Sequence, residues 1–240
     1  MTENTAGATI NYPGNNKIGS VGRALGGTEM MIAEDGEILM RGRHVMKGYY
    51  KNSEATAETI DSENWLHTGD IGKIDSEGYV FITGRMKEIY VSSGGKNIAP
   101  LVIEETFKAI PIVSQCFLVG DGRKYCSALF TLDMGAILRD KIGIPIPEIP
   151  KSPNDQYALI LSSGHSLEEY TSGEEVRAEI QAAVDKLNGK FANPEQLKKF
   201  AILPRDFTVD DGELTPTLKI RRIQIRENWA DVIEAMYADA

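Results

Sequence analysis

The apolar pattern of this chain changes period once, just past Gly84-Arg85, and that change limits the folds open to it. Upstream, short strand-like runs are split by tight-turn residues. MMIAEDGEILMRG divides around Glu34-Asp35-Gly36, and IGKIDSEGYVFITG divides around Asp75-Ser76-Glu77-Gly78. Each is a hairpin signal, and in the second Tyr79, Phe81 and Thr83 alternate with Val80 and Ile82. Between them NSEATAETI predicts a short helix capped by Asn52 or Ser53.

Downstream, helical spacing takes over. Pro100 suits a first helical turn, and PLVIEETFKAI then sets Ile103, Phe107 and Ile110 on one face. Apolar runs around Cys116 and Cys126 read as strands. The proline-rich IGIPIPEIPKSPNDQ reads as an irregular loop. In TSGEEVRAEIQAAVDKL, Ser172 with Glu175 predicts a capping box, and Val176, Ile180, Val184 and Leu187 form a stripe. PEQLKKF predicts a short helix leading into the strand FAILP. The end, IRRIQIRENWADVIEAMYADA, predicts one terminal helix burying Trp229, Val232, Ile233 and Met236. The expected fold class is α+β. Residues 1–84 form a β-rich half-barrel and residues 85–240 a small α+β domain, joined near Arg85–Lys87.

Composition narrows the function. At 240 residues the chain is long enough to bury a core without metals or disulfides. A net charge of -9 argues against broad nucleic-acid binding, which needs an excess of Lys and Arg against phosphates. No apolar run reaches the length of a membrane span, and the opening MTENTAGATINYPGNNKIGS lacks the apolar centre of a signal peptide. The expectation is a cytoplasmic protein, with peripheral membrane contact left open. Cys116 and Cys126 sit in apolar runs and read as buried free thiols rather than a disulfide. His44, His67 and His165 show no metal-ligand spacing.

Three separated segments carry chemistry. In Trp65-Leu66-His67-Thr68-Gly69-Asp70, a carboxylate after a glycine suits two vicinal hydroxyls, as ribose presents; the plain alternative is a turn cap. In Ile82-Thr83-Gly84-Arg85-Met86-Lys87, Arg85 could hold a nucleotide hydroxyl or phosphate, or belong to a surface charge cluster. In Gly212-Glu213-Leu214-Thr215-Pro216-Thr217-Leu218-Lys219, a lysine on a proline-bearing loop could offset charge when a carboxylate attacks a phosphate. Its alternative is a basic start to the terminal helix, which the helix dipole disfavours.

Taken in order, these segments resemble the adenylate-forming enzymes, the family of acyl-CoA synthetases and nonribosomal adenylation domains. GEILMRGRHVMKGYYKN resembles its GEI-x-RG…GY segment and WLHTGD its ribose-binding TGD. GRMKEIYVSSGGKNIAP resembles its hinge segment, and LTPTLKIRR its catalytic-lysine motif. Leu218 stands where many members carry glycine. GELTPTLKIRR, with Lys87 at the hinge, is similar to the long-chain and bubblegum-type fatty acyl-CoA synthetases. The likeness is weakest over residues 143–172.

The resemblance implies a β-rich end of a large adenylate-binding domain followed by a lid domain. It implies ATP and AMP, Mg²⁺, CoA and a fatty acid as ligands. It places Asp70 and Arg85 on the ribose, Lys87 at the hinge, Gly94 and Gly95 along the CoA arm, and Lys219 at the adenylation step. Met1-Thr2-Glu3 resembles the end of the motif Tyr-Gly-Met-Thr-Glu, which places Thr2 near the α-phosphate and Glu3 near Mg²⁺. No phosphate-cradling glycine loop is found in the 240 residues; Ser92-Ser93-Gly94-Gly95-Lys96 lacks its spacing. The expectation is therefore the C-terminal piece of a ligase, inactive alone, with a homodimer or a complementing N-terminal half as its possible partner. A non-catalytic remnant that binds a nucleotide or a partner stays open as the alternative.

Overall fold

A computed structural model describes residues 1–5 and 7–238. The chain divides into two compact units, Met1–Ile89 and Tyr90–Ala240. The division falls a few residues past the boundary read from the sequence. Strand Tyr79–Arg85 runs through the expected join, and a 3-10 turn, Met86–Glu88, closes the first unit.

The first unit is an open antiparallel sheet of six strands: β1 (Thr9–Ile10), β2 (Gly22–Ala24), β3 (Thr28–Ile32), β4 (Glu37–Gly42), β5 (Leu66–Ile74) and β6 (Tyr79–Arg85). They lie in the order β1-β2-β6-β5-β4-β3. Both hairpins read from the turn residues form as β3–β4 and β5–β6. Helix α1 (Ser53–Thr59) lies between β4 and β5. Asn52 is its N-cap, its side chain accepting from the Ala55 amide. The core here is small: Ala8, Met40 and Leu66, with Met30, Val45 and Ile60 against them.

The second unit holds a short hairpin, β7 (Tyr90–Val91) with β8 (Asn97–Ile98), and then helix α2 (Pro100–Lys108) with Pro100 in its first turn. Its central sheet runs β11-β10-β9, from β9 (Val113–Val119), β10 (Cys126–Leu132) and β11 (Leu197–Ile202). All seven β10 residues are buried, as a central strand covered on both faces requires. Alternation sorts the side chains. Cys116, Leu118, Ala128 and Phe130 face one core with Phe107, Ile180 and Val184, while Phe117, Val119 and Leu129 face another with Phe207, Leu214, Ile225 and Ile233.

Several local expectations need correction. The segment read as a loop up to Gln156 ends in the first turn of helix α4 (Pro153–Ser162), which follows α3 (Met134–Ala136) and its π-helical continuation Ile137–Ile142. Among α4 residues only Ile160 is buried, so no stripe announces it. The capping box at Ser172 does not form. Ser172 closes a preceding helix, α5 (Leu167–Thr171), and Gly173 is the N-cap of α6 (Glu174–Asn188) without a side-chain bond. A β-carbon on Gly173 would stand 2.3 Å from the Glu169 carbonyl oxygen, so the close junction excludes a larger cap. The helix expected over PEQLKKF is a 3-10 turn, Asn193–Glu195, and the strand begins at Leu197. The terminal helix is two helices, α7 (Arg222–Asn228) and α8 (Ala230–Tyr237), parted at Trp229.

Candidate active site

In the first unit, the site is a turn in β5. Asp70 lies opposite Arg85 on β6, and the Arg85 Nε donates to Asp70 Oδ1 at 3.0 Å. Gly69 has φ +71°, the left-handed region that favours glycine. Thr68 fixes both sides of that residue: its hydroxyl donates to the Ile38 carbonyl at 2.7 Å and accepts from the Asp70 amide at 3.0 Å. Glu37, buried on β4, completes the turn. One of its oxygens accepts from the Gly69 amide at 2.7 Å and the other meets His67 Nδ1 at 2.7 Å. His67 is thus engaged by Glu37. Asp70 also lines a cavity of about 200 Å³ with Thr68, Asn4, Met40 and Val80.

Thr2 and Glu3 lie in a 3-10 turn, Thr2–Asn4, beside this cavity's Asn4. The Glu3 carboxylate accepts from the Tyr49 hydroxyl at 3.0 Å. Its own backbone N–H, and then Tyr49, hold that carboxyl below the ordinary Glu value. Lys87 is exposed in the 3-10 turn that ends the unit.

In the second unit, Gly94 and Gly95 sit in the turn of the β7–β8 hairpin. The Gly95 amide donates to the Ser92 carbonyl at 2.8 Å, and Gly95 has φ +77°. Gly94 has no such backbone need, and a β-carbon there would meet only the Ser92 hydroxyl at 3.9 Å.

Lys219 is exposed on a tight loop between the bridged residues Leu214 and Ile220. The Leu218 amide closes a turn onto the Thr215 carbonyl at 2.8 Å, and the Lys219 amide donates to the Thr215 hydroxyl at 3.0 Å. Leu218 has φ +59°, so the position where the resemblance expects glycine is a left-handed one. Helix α7 begins only at Arg222, which removes the alternative of Lys219 as a helix start.

Two buried carboxylates flank this loop, and neither was singled out from the sequence. Glu213 is fully buried. Its Oε2 accepts from Arg205 Nη1 at 2.7 Å and the Thr208 amide at 3.1 Å. Its Oε1 accepts from Trp229 Nε1 at 2.8 Å, Arg205 Nη2 at 3.1 Å and Asn228 Nδ2 at 3.2 Å. Burial alone would raise this carboxyl; the bonds from Arg205, Asn228, Thr208 and Trp229 outweigh it and hold Glu213 below the ordinary Glu value. Past the loop, Arg222 forms a bidentate pair with buried Glu104 at 2.8 and 2.6 Å, and Glu104 also accepts from the Leu118 amide at 2.8 Å. The buried acid between Gly212 and Leu214 was the only trace of this in the sequence. Its side-chain partners lie 8, 15 and 16 residues away, outside any local spacing.

Cys116 and Cys126 are buried free thiols. Burial pushes Cys126 up to about 11 and raises Cys116 well above its usual value, which suits neither for nucleophilic work near neutral pH. Among the described residues no group of three His, Cys, Asp or Glu is arranged to hold a metal ion, and no helix is long and apolar enough to cross a membrane.

Comparison with solved structures bears on the fold. The fold matches an anthranilate CoA ligase, AuaEII, solved with anthranoyl-AMP, at a TM-score of 0.65 and 21% identity over 95% of this chain and 38% of that one. It matches the o-succinylbenzoate CoA synthetase MenE of Bacillus subtilis, solved with its acyl-adenylate, at a TM-score of 0.64 and 23% identity over 94% of this chain and 40% of that one. The architecture is that of the adenylate-forming enzymes. No family model matches the chain. Sequence relatives are nearer: the long-chain-fatty-acid–CoA ligase FadD15 of Mycobacterium bovis is 40% identical over 237 residues, 99% of this chain and 37% of that protein. The long-chain-fatty-acid–CoA ligase ACSBG2 of Gallus gallus is 35% identical over 249 residues, all of this chain and 32% of that protein. The chain matches the C-terminal part of long-chain fatty-acid–CoA ligases and spans about a third of their length.

Proposed function

We propose that this chain supplies part of the adenylate site and the lid of a long-chain fatty-acid–CoA ligase. In the whole reaction a fatty carboxylate attacks the α-phosphorus of ATP, giving acyl-AMP and pyrophosphate. The CoA thiol then attacks the acyl carbon, releasing AMP and a proton. The observation that carries this reading is the exposed Lys219 on a short, internally bonded loop whose flanks are both tied to buried carboxylates. Such an ammonium can meet the negative charge that develops at the α-phosphate.

Asp70 offers oxygen acceptors to the two ribose hydroxyls, and Arg85 orients that carboxylate while presenting its remaining N–H groups. Thr2 donates toward the α-phosphate. Glu3 is a lone ionised carboxylate, which fits Mg²⁺, an ion commonly held by one or two carboxylates together with substrate phosphates. The metal would neutralise phosphate charge there. Lys87 serves as the hinge between the two steps. Gly94 and Gly95 leave the backbone open to the CoA arm, as the vacant space around both positions allows. The two unpaired thiols suit a reducing compartment, and we place the protein in the cytoplasm. Ile18 and Tyr50, 96% and 87% exposed, suit burial against the complementing remainder of a ligase.

The test is a chimera in which this chain replaces the matching C-terminal part of FadD15. Pyrophosphate release dependent on fatty acid is expected, and Lys219→Ala should reduce it by two orders of magnitude or more. The 240-residue chain alone should release no AMP when given fatty acid, ATP and CoA. Adenylation that survives Lys219→Ala would remove the role given to that lysine, and turnover by the chain alone would remove the part-enzyme reading.

A further inference from the structure

Between Gly212 and Arg222 the chain leaves the second core, makes the Lys219 loop and returns. Leu214 and Ile220 are its only apolar roots, one buried and one partly so, and Pro216, Thr217, Leu218 and Lys219 are exposed. So few apolar contacts would leave the loop free to fray. Its order therefore has to come from polar bonds at its base. The five donors on Glu213 come from four residues on both sides of the loop: Arg205 and Thr208 before it, and Asn228 and Trp229 after it. The Arg205 guanidinium also lies over the Trp229 ring, 5.0 Å from its centroid. The Glu213 backbone joins in, its amide donating to the Thr208 carbonyl at 3.0 Å and its carbonyl accepting from the Arg221 amide at 2.8 Å. One side chain thus ties the irregular segment entering the loop to the helix junction that follows it.

We propose that Glu213 is a positioning residue for Lys219: it locks the base of the loop so that the ammonium is presented in one place. This rests on the reading of Lys219 as the adenylation lysine, but the lock itself can be tested without any activity. An ionised carboxylate is required, because only its two acceptor oxygens accommodate five donors; a glutamine amide at the same place turns one acceptor into a donor facing Arg205.

The experiment is amide hydrogen exchange on the 240-residue chain and its variants, read at Thr215, Leu218 and Lys219, whose amides bond within the loop, and at the β10 amides as reference. Glu213→Gln should speed exchange at the three loop amides by about ten-fold or more while β10 stays protected. If Glu213→Gln fails to fold, Asn228→Ala, which removes a single donor, should give a smaller loop-confined rise. A folded variant with loop exchange unchanged, or with loop and β10 loosened alike, overturns the lock. In an active chimera, Glu213→Gln should lower pyrophosphate release and leave CoA transfer from preformed acyl-adenylate nearly unchanged. Loss of both steps together overturns the link to Lys219. If Lys219→Ala has no effect on adenylation while Glu213→Gln still frees the loop, the reading of Lys219 fails and the lock stands.

Discussion

The two turns that carry Asp70 and Lys219 sit in different units, yet they are built alike. In each, a residue in the left-handed region immediately precedes the candidate side chain: Gly69 at φ +71° and Leu218 at φ +59°. In each, a threonine hydroxyl accepts from the candidate residue's own amide at 3.0 Å. In each, a buried glutamate stands behind the turn. The differences are in the details. Glu37 bonds a glycine amide and a histidine, whereas Glu213 gathers an arginine fork, an indole, an amide side chain and a backbone N–H. The Asp70 turn lies within a sheet, paired on both sides by β4 and β6, and its left-handed residue is a strain-free glycine. The Lys219 loop stands outside any sheet and puts leucine where glycine would be easiest. Where the sheet cannot hold a side chain in place, a denser polar anchor does so, and it tolerates local strain.

The largest effect expected from this contrast is at the anchor. Glu213→Ala leaves Arg205, Trp229 and Asn228 without their acceptor. Breaking a buried pair costs about 3–5 kcal/mol, and because the Arg205 side chain keeps 38% of its exposure the loss should lie near the lower end, about 3 kcal/mol. Chemical denaturation reads it directly. The acid limb gives a second reading. The folded Glu213 carboxyl titrates below its ordinary 4.5, so its contribution is fully present above that value and fades as pH falls through the lower folded value. The stability gap between the wild-type chain and Glu213→Gln should therefore narrow on acidification below about 4.5. A gap that stays constant to pH 3 would show that the ionised form is not what matters.

The same contrast predicts opposite signs at the two left-handed residues. A β-carbon on Gly69 meets no atom within 4 Å, so Gly69→Ala costs backbone strain alone, about 1–2 kcal/mol. Leu218→Gly relieves strain of that kind, and after the added freedom of the unfolded glycine it should stabilise by about 1 kcal/mol or somewhat less. Thermal unfolding of both variants checks the pair. Destabilisation by Leu218→Gly would mean that the exposed leucine contributes packing not visible in this structure.

How much of this was legible in the sequence follows from how far each device reaches. WLHTGD and its Gly69 could be read because turn, hydroxyl and carboxylate are neighbours in sequence. Leu218 could be noticed as a departure from glycine, but its left-handed backbone could not. Glu37, Glu104 and Glu213 were silent because what defines them is burial and partners across the fold; Glu104 meets Arg222 from 118 residues away. The terminal helix was read as one because its apolar residues keep helical spacing through Trp229, yet there the backbone turns to φ −112° and ψ +23° and the indole N–H goes to Glu213. Helix α4 escaped because four prolines between Pro145 and Pro153 dominate the segment and its buried side is a single isoleucine.

The smallest effect separates structure from chemistry in the hairpin turn of the second unit. Gly95 has φ +77°, so Gly95→Ala should cost about 1 kcal/mol through its backbone whatever the protein does. Gly94 has an ordinary φ and open space, so Gly94→Ala should leave stability within about 0.5 kcal/mol. If the hairpin turn passes the CoA arm close to the backbone, Gly94→Ala in the active chimera should slow CoA transfer and raise the KM for CoA. Adenylation, which the proposal assigns to Lys219, should not respond. A variant that matches the parent in both half-reactions would leave Gly94 without a functional reason and confine the demand for glycine in this turn to Gly95.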